Sequence, residues 1–110
     1  MMRSKTTLKF RTLNANLPKP VQTLAVKQFN LWKKNQNYPS LHFKLIHTSK
    51  QIYSIRIGLN YRALAVLDDD TYVWFWIGTH EEYNQSIKES FRFNFYPHAV
   101  IQSSFNIYLL

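Results

Sequence analysis

Residues 53–80, YSIRIGLNYRALAVLDDDTYVWFWIGTH, decide the fold of this chain. In YSIRI, Tyr53, Ile55 and Ile57 alternate with Ser54 and Arg56, the period of a half-buried strand. YRALAVL and YVWFWI are apolar on both faces, as central strands tend to be. The connections between them are only GLN and DDDT, and links this short favour antiparallel neighbours. The run therefore reads as three successive strands. LHFKLI, just upstream, alternates too and makes a fourth: Leu41, Phe43 and Leu45 turn one way, His42, Lys44 and Ile46 the other.

Upstream of the strands, LPKPVQTLAVKQFNLWKKN reads as a helix. Val21, Leu24, Ala25, Phe29 and Trp32 fall on one face. Pro18 and Pro20 suit its first turn, and Lys33 and Lys34 its last. LKFRTL before it reads as a short strand. Downstream, THEE fits a capping box, with Thr79 accepting from the amide three residues on and Glu82 reaching back. A short helix is expected over about 80–89 with His80 as its first residue. The fold class is α+β: a small curved antiparallel sheet of about four strands, packed on one or two N-terminal helices.

The chain has 110 residues, enough for one modest core, and 45% of them are hydrophobic. Cysteine is absent, which rules out disulfides and thiolate metal sites and favours a reducing compartment. No apolar run approaches the roughly 18 residues that span a bilayer, and the basic start lacks a signal-like apolar core. The expectation is a cytoplasmic protein with no membrane partner. The net charge is +8. All twelve basic residues of the first 67 positions stand without an acid, whereas the rest holds six acids against Lys88 and Arg92. A basic segment of this length attracts polyanions, nucleic acid above all, or an acidic protein partner.

The strand alternation sets Lys44 and Arg56 on the face turned from the helix, with His42 beside them and Arg62 opening the next strand. His80 and Tyr83 arrive from the end of the last strand. Arginine holds phosphate oxygens in bidentate geometry, and His or Tyr can move a proton, so the set suits a phosphodiester. The positive end of a helix starting at His80 suits phosphate as well. Each residue also has a plainer reading: solvated strand cations for Lys44, Arg56 and Arg62, a helix start for His80, core packing for Tyr83, surface histidines for His42 and His47. Asp68, Asp69 and Asp70 read as a hairpin turn in preference to a metal cluster. His98 falls in an apolar tail of no clear period.

The order of VQTLAVKQFNLW, PSLHFKLI, YSIRIGLNYRAL and WIGTHEEY resembles the RelE/ParE superfamily of bacterial type II toxins, most closely its small RelE- or HigB-like members. The resemblance covers about residues 7–90, so residues 1–90 are expected to form the toxin domain and 91–110 an atypical C-terminal extension. It implies metal-independent cleavage of mRNA, commonly on the ribosome, by attack of the 2′-hydroxyl on the adjacent phosphate, with no cofactor. It also implies a cognate antitoxin with an acidic segment. Carried over by position, Lys44, Arg56 and Arg62 stabilise the phosphate, His80 transfers protons and Tyr83 assists. His42, Lys9 and Lys27 are the expected outer RNA contacts. The ParE branch resembles the same scaffold yet acts on DNA gyrase, and a catalytically inactive homologue that only binds antitoxin is a third reading.

Overall fold

The computed structural model describes residues 3–85 and the strand 107–109. Strand β1 (Arg3–Thr7) leads into helix α1 (Leu8–Ala15), and α2 (Lys19–Lys34) follows. A 3-10 turn (Pro39–Leu41) precedes β2 (Lys44–His47), β3 (Ile52–Arg56), β4 (Tyr61–Asp68) and β5 (Thr71–Thr79). A third helix, α3, starts at His80 and is described through residue 85. Strand β6 (Ile107–Leu109) completes one sheet of order β2-β3-β4-β5-β1-β6.

The antiparallel meander β2 to β5 is the four-strand unit expected from the sequence. Beyond it the sheet is mixed. β1 runs parallel to β5, with Lys5 beside Val73, and β6 runs antiparallel to β1. LKFRTL, expected as a strand, is helical, and the strand lies just before it. The switch sits at Thr7, whose extended backbone ends β1 and whose hydroxyl accepts from the Phe10 amide at 3.1 Å, capping α1. Six residues with alternating apolar positions fit either period; the cap decides between them.

Helices α1 and α2 cover one face. Phe10, Ala25, Phe29 and Trp32 pack there on Ile55, Ile57, Ala63, Ala65, Trp74 and Ile77. Trp32 is completely buried and meets Phe43, Tyr72 and Trp74 edge to face, with centroids 5.2–5.8 Å apart. Each such aromatic pair contributes about 0.5–1.5 kcal/mol beyond its buried area. Proline at the start of α2 and Lys33 and Lys34 in its last turn fall as the sequence predicts.

WFWI owes its two-sided apolar character to a β-bulge. Leu64 faces Trp76 and Ala65 faces Trp74, so Phe75 is the extra residue. Alternation resets there, and Phe75 and Trp76 both point to the face away from the helices. They form a second buried cluster with Ile52, Leu64, Val66 and Val73, against which Leu13, Ile46 and Tyr83 pack. The far face is thus apolar over much of its extent. The two faces of β2 fall as the sequence predicts, but burial does not follow them. Ile46 is partly buried on the far face, whereas Leu45, on the helix side of an edge strand, is 44% exposed.

Of the expected extension 91–110, only strand β6 is described; His98 and the end of the expected 80–89 helix lie outside the described residues. Among the described residues no helix is long and apolar enough to cross a membrane.

Candidate functional site

The β3–β4 hairpin places Arg56 directly opposite Arg62. The next pair, Ile57 and Tyr61, carries the ladder hydrogen bond, from the Ile57 amide to the Tyr61 carbonyl at 3.0 Å. Arg56 and Arg62 are therefore a non-hydrogen-bonded pair, the kind whose side chains come closest, with Cα atoms about 4.5 Å apart. Two cations face each other across that pair. Burial and the neighbouring Arg56 both push the Arg62 guanidinium below its ordinary pKa; only Tyr83 opposes them. Among the described residues no carboxylate balances either side chain. The Arg56 Nε is buried and has no hydrogen-bond partner.

The two arginines are held differently. Arg62 donates through Nη1 to the Tyr61 carbonyl at 2.9 Å and to the Gly58 carbonyl at 3.4 Å. Its fork is tied to the loop that joins β3 to β4. Among the described residues Arg56 has no such side-chain tether, and its Nε is unpaired. Beyond Arg62 across the sheet lies Gly78, where a Cβ would come within 2.6 Å of the Trp76 ring. Glycine here leaves room for the Trp76 ring. Lys44 pairs with Ser54, two residues before Arg56, which puts its exposed side chain on the same face.

At the end of β5 the capping box forms as the sequence predicts. Glu82 NH donates to the Thr79 hydroxyl at 3.1 Å, and the Glu82 carboxylate accepts from the Thr79 amide at 3.1 Å and hydroxyl at 2.8 Å. These bonds, the backbone amide's first, hold the Glu82 carboxyl below its ordinary pKa. The box starts α3 at His80, which is exposed. One turn on, Tyr83 stacks on His80, with centroids 5.7 Å apart and rings 16° from parallel. Tyr83 is half-buried against the second cluster. Burial raises its phenol above the ordinary value, and Arg62 pulls the other way. Tyr83 thus links the exposed imidazole to the arginine pair.

Lys44, Arg56, Arg62, Tyr83 and His80 therefore share one end of the far face, arginines central and imidazole at the rim. His42 does not join the strand. It caps the 3-10 turn with a left-handed backbone, φ 45°, and is exposed before β2 begins. Lys9 and Lys27 are exposed on α1 and α2, the layer covering the opposite face. Asp68–Asp70 closes the β4–β5 hairpin, with Asp69 left-handed at φ 54°. Two contributors were not anticipated. Asn60 accepts the His80 amide through its carbonyl at 2.7 Å, and Gln28 reaches the Arg56 carbonyl from α2. Neither had a sequence signal, because both act through backbone atoms of distant segments.

A family profile described as ParE-like toxin domain matches residues 19–85, well over half of the chain. No curated protein sequence matches it. Among solved structures the fold is similar to the RelB–RelE antitoxin–toxin complex of Methanococcus jannaschii, with 18% identity over 74% of this chain and 95% of that one, TM-score 0.59. The RelE–RelB complex of Pyrococcus horikoshii OT3 gives 13% identity over 71% and 93%, TM-score 0.58. A copper-bound mutant toxin from Helicobacter pylori gives 17% over 74% and 98%, TM-score 0.52. The matched segment runs from the first turn of α2 to the described end of α3 and so contains Lys44, both arginines, His80 and Tyr83; the chain belongs to the ParE-like toxin domain family of the RelE/ParE superfamily.

Proposed function

We propose that this protein is the toxin of a type II toxin–antitoxin pair and acts in the cytoplasm as an mRNA endoribonuclease that works on the ribosome. The observation that carries the reading is the Arg56–Arg62 pair: two cations in register, one with a buried unpaired Nε and, among the described residues, no carboxylate between them. Such a pair is costly for the free protein and favourable once a phosphodiester sits on it. Lys44 adds a third positive charge on that face.

The reaction then follows from the groups at the rim. The 2′-hydroxyl of the RNA attacks its adjacent phosphorus, and the 5′-oxygen of the next nucleotide leaves. The hydroxyl loses a proton, the leaving oxygen gains one, and the products are a 2′,3′-cyclic phosphate and a 5′-hydroxyl. His80 carries out the proton transfer and the arginines stabilise the charge that builds on the phosphoryl oxygens. Tyr83, whose phenol burial holds above its ordinary value, orients His80 by stacking and donates a hydrogen bond. No metal is required by this scheme.

The partner is an antitoxin whose acidic segment complements the basic first 67 residues. That two of the similar structures are antitoxin–toxin complexes supports this part of the reading. Expression without an antitoxin should arrest growth, with primer extension showing new 5′ ends in cellular transcripts. The ParE-like description of the family favours a second reading, inhibition of DNA gyrase. Intact transcripts together with gyrase-dependent DNA breaks would move the protein there. Neither activity, with antitoxin binding retained, would mark an inactive homologue.

A further inference from the structure

We infer that Gln28, on the helix layer and 5% exposed, is a positioning residue that aims Arg56 at the phosphate. The inference rests on the phosphate-binding reading above and adds to it a residue from the opposite side of the sheet. It starts from a gap in the ladder. β2 pairs Lys44 with Ser54, so the residue that register would set across from Arg56 is His42. His42 instead turns left-handed at the end of the 3-10 turn and leaves the strand. The Ile57 amide is bonded toward β4, so the Arg56 carbonyl points the other way, toward the missing stretch of β2.

Gln28 fills that gap. Its Nε2 donates to the Arg56 carbonyl at 2.9 Å and to the Ser40 carbonyl at 3.2 Å. One side-chain amide from α2 thus fixes the end of β3 and the turn that leads to His42 and Lys44. The peptide after Arg56 is then bonded on both sides, to Gln28 through its carbonyl and to Tyr61 through its amide. This matters for Arg56 more than for Arg62. Arg62 is tethered by its own guanidinium, whereas the Arg56 Nε has no partner, so the direction of the Arg56 side chain is set by its backbone. A buried glutamine with both donors spent on carbonyls of separate segments holds that backbone rigidly.

The test separates positioning from general stability and from the RNA reading. Gln28→Met keeps the length and removes the donors. Single-turnover RNA cleavage should fall about ten- to a hundred-fold with RNA affinity little changed, since small misplacements of a charge-stabilising group act on the rate. In an Arg56→Ala background the same change should cost almost nothing further. Gln22→Met removes comparable side-chain bonds at the start of α2, to the Ala15 and Leu17 carbonyls, and should leave the rate near that of the parent. Equal loss from Gln28→Met in both backgrounds would overturn the proposal. If the parent cleaves no RNA, the ribonuclease reading fails, and a titration with inorganic phosphate decides the positioning alone. Phosphate should shift the Nε–Hε resonances of Arg56 and Arg62 in the parent and only that of Arg62 in Gln28→Met. Arg56 shifting equally in both, or in neither, would overturn the proposal. If Gln28→Met does not fold, the similarly sized Gln28→Glu takes the same measurements.

Discussion

The backbone amide of His80 donates to the carbonyl of Asn60 at 2.7 Å. Asn60 lies in the loop between β3 and β4, and the carbonyls of Gly58 and Tyr61 beside it hold the Arg62 guanidinium. One short loop therefore fixes both the imidazole-bearing turn and one of the paired arginines. Gly58 makes the loop possible. Its φ is +109°, and an added Cβ would come within 2.7 Å of Leu24 Cδ2. Gly58→Ala should destabilise the fold by about 1–3 kcal/mol in urea unfolding, from backbone strain and the clash together. Leu24→Ala in the same chain should recover only the clash. A Gly58→Ala protein as stable as the parent would show that the loop tolerates a side chain and does not constrain the site.

The arginine pair predicts a gain and a loss from one substitution. Arg56→Met removes like-charge repulsion and a buried unpaired donor while keeping the aliphatic stem. Stability should rise by on the order of 1 kcal/mol. RNA cleavage should fall about 10²–10³-fold, the scale for removing one charge-stabilising donor. The stabilisation should shrink in high salt, as screening weakens the repulsion it relieves. A less stable Arg56→Met protein would mean that the pair is not strained in the free chain.

The capping box predicts a pH dependence. Bonds from Thr79 depress the Glu82 carboxyl in the folded state. A depressed folded value means that the ionised form stabilises the fold above the unfolded pKa. That contribution is lost as pH falls below the ordinary carboxylate range and through the depressed value. Glu82 is largely exposed, so the effect is small. Glu82→Gln should be slightly less stable than the parent at pH 7, and the gap should close at pH 3. Thr79→Ala, which removes the cap itself, should cost about 1 kcal/mol at pH 7. A gap between Glu82→Gln and the parent that widens on acidification would contradict the assignment.

What the sequence revealed about this molecule follows the range of the interactions. Thr79 and Glu82 are three residues apart, and their box is readable from residue type alone. The antiparallel meander was legible because its connectors are too short for anything else, and the opposition of Arg56 and Arg62 follows from that hairpin. The apolar face of α2 was legible from Ala25, Phe29 and Trp32. β1 was not, since its partner β5 lies some seventy residues away and parallel pairing leaves no local mark. The bulge at Phe75 was hidden as well, because an all-aromatic run has no alternation to interrupt. Consequently, although β4 and β5 read as apolar on both faces, the buried far-face patch of Leu64, Val66 and Trp76 was not placed beside the cations. Residues that act through backbone carbonyls, Gln28 and Asn60, leave no pattern at all.

His80 and Arg62 supply the sharpest test of the site. Tyr83 lies between them, stacked on the imidazole and electrostatically coupled to Arg62. If Arg62 stabilises phosphate charge and His80 moves the proton, both act mainly in the transition state. Replacing either by Ala should then lower single-turnover cleavage far more than RNA affinity. His80→Ala should cost about 10²–10⁴ in rate, the usual scale for a proton-transfer group. The double change should be clearly less than additive in log rate, because groups acting on one transition state fail together. His80 is exposed and contributes its backbone amide to Asn60, which alanine retains, so the fold should survive. Replacing Lys9 or Lys27, exposed on the helix layer, should weaken RNA binding in a salt-dependent way and leave the chemical step alone. Cleavage by His80→Ala at the parent's rate, with Lys9→Ala inactive, would remove the active site from the β3–β5 face and place it on the helices.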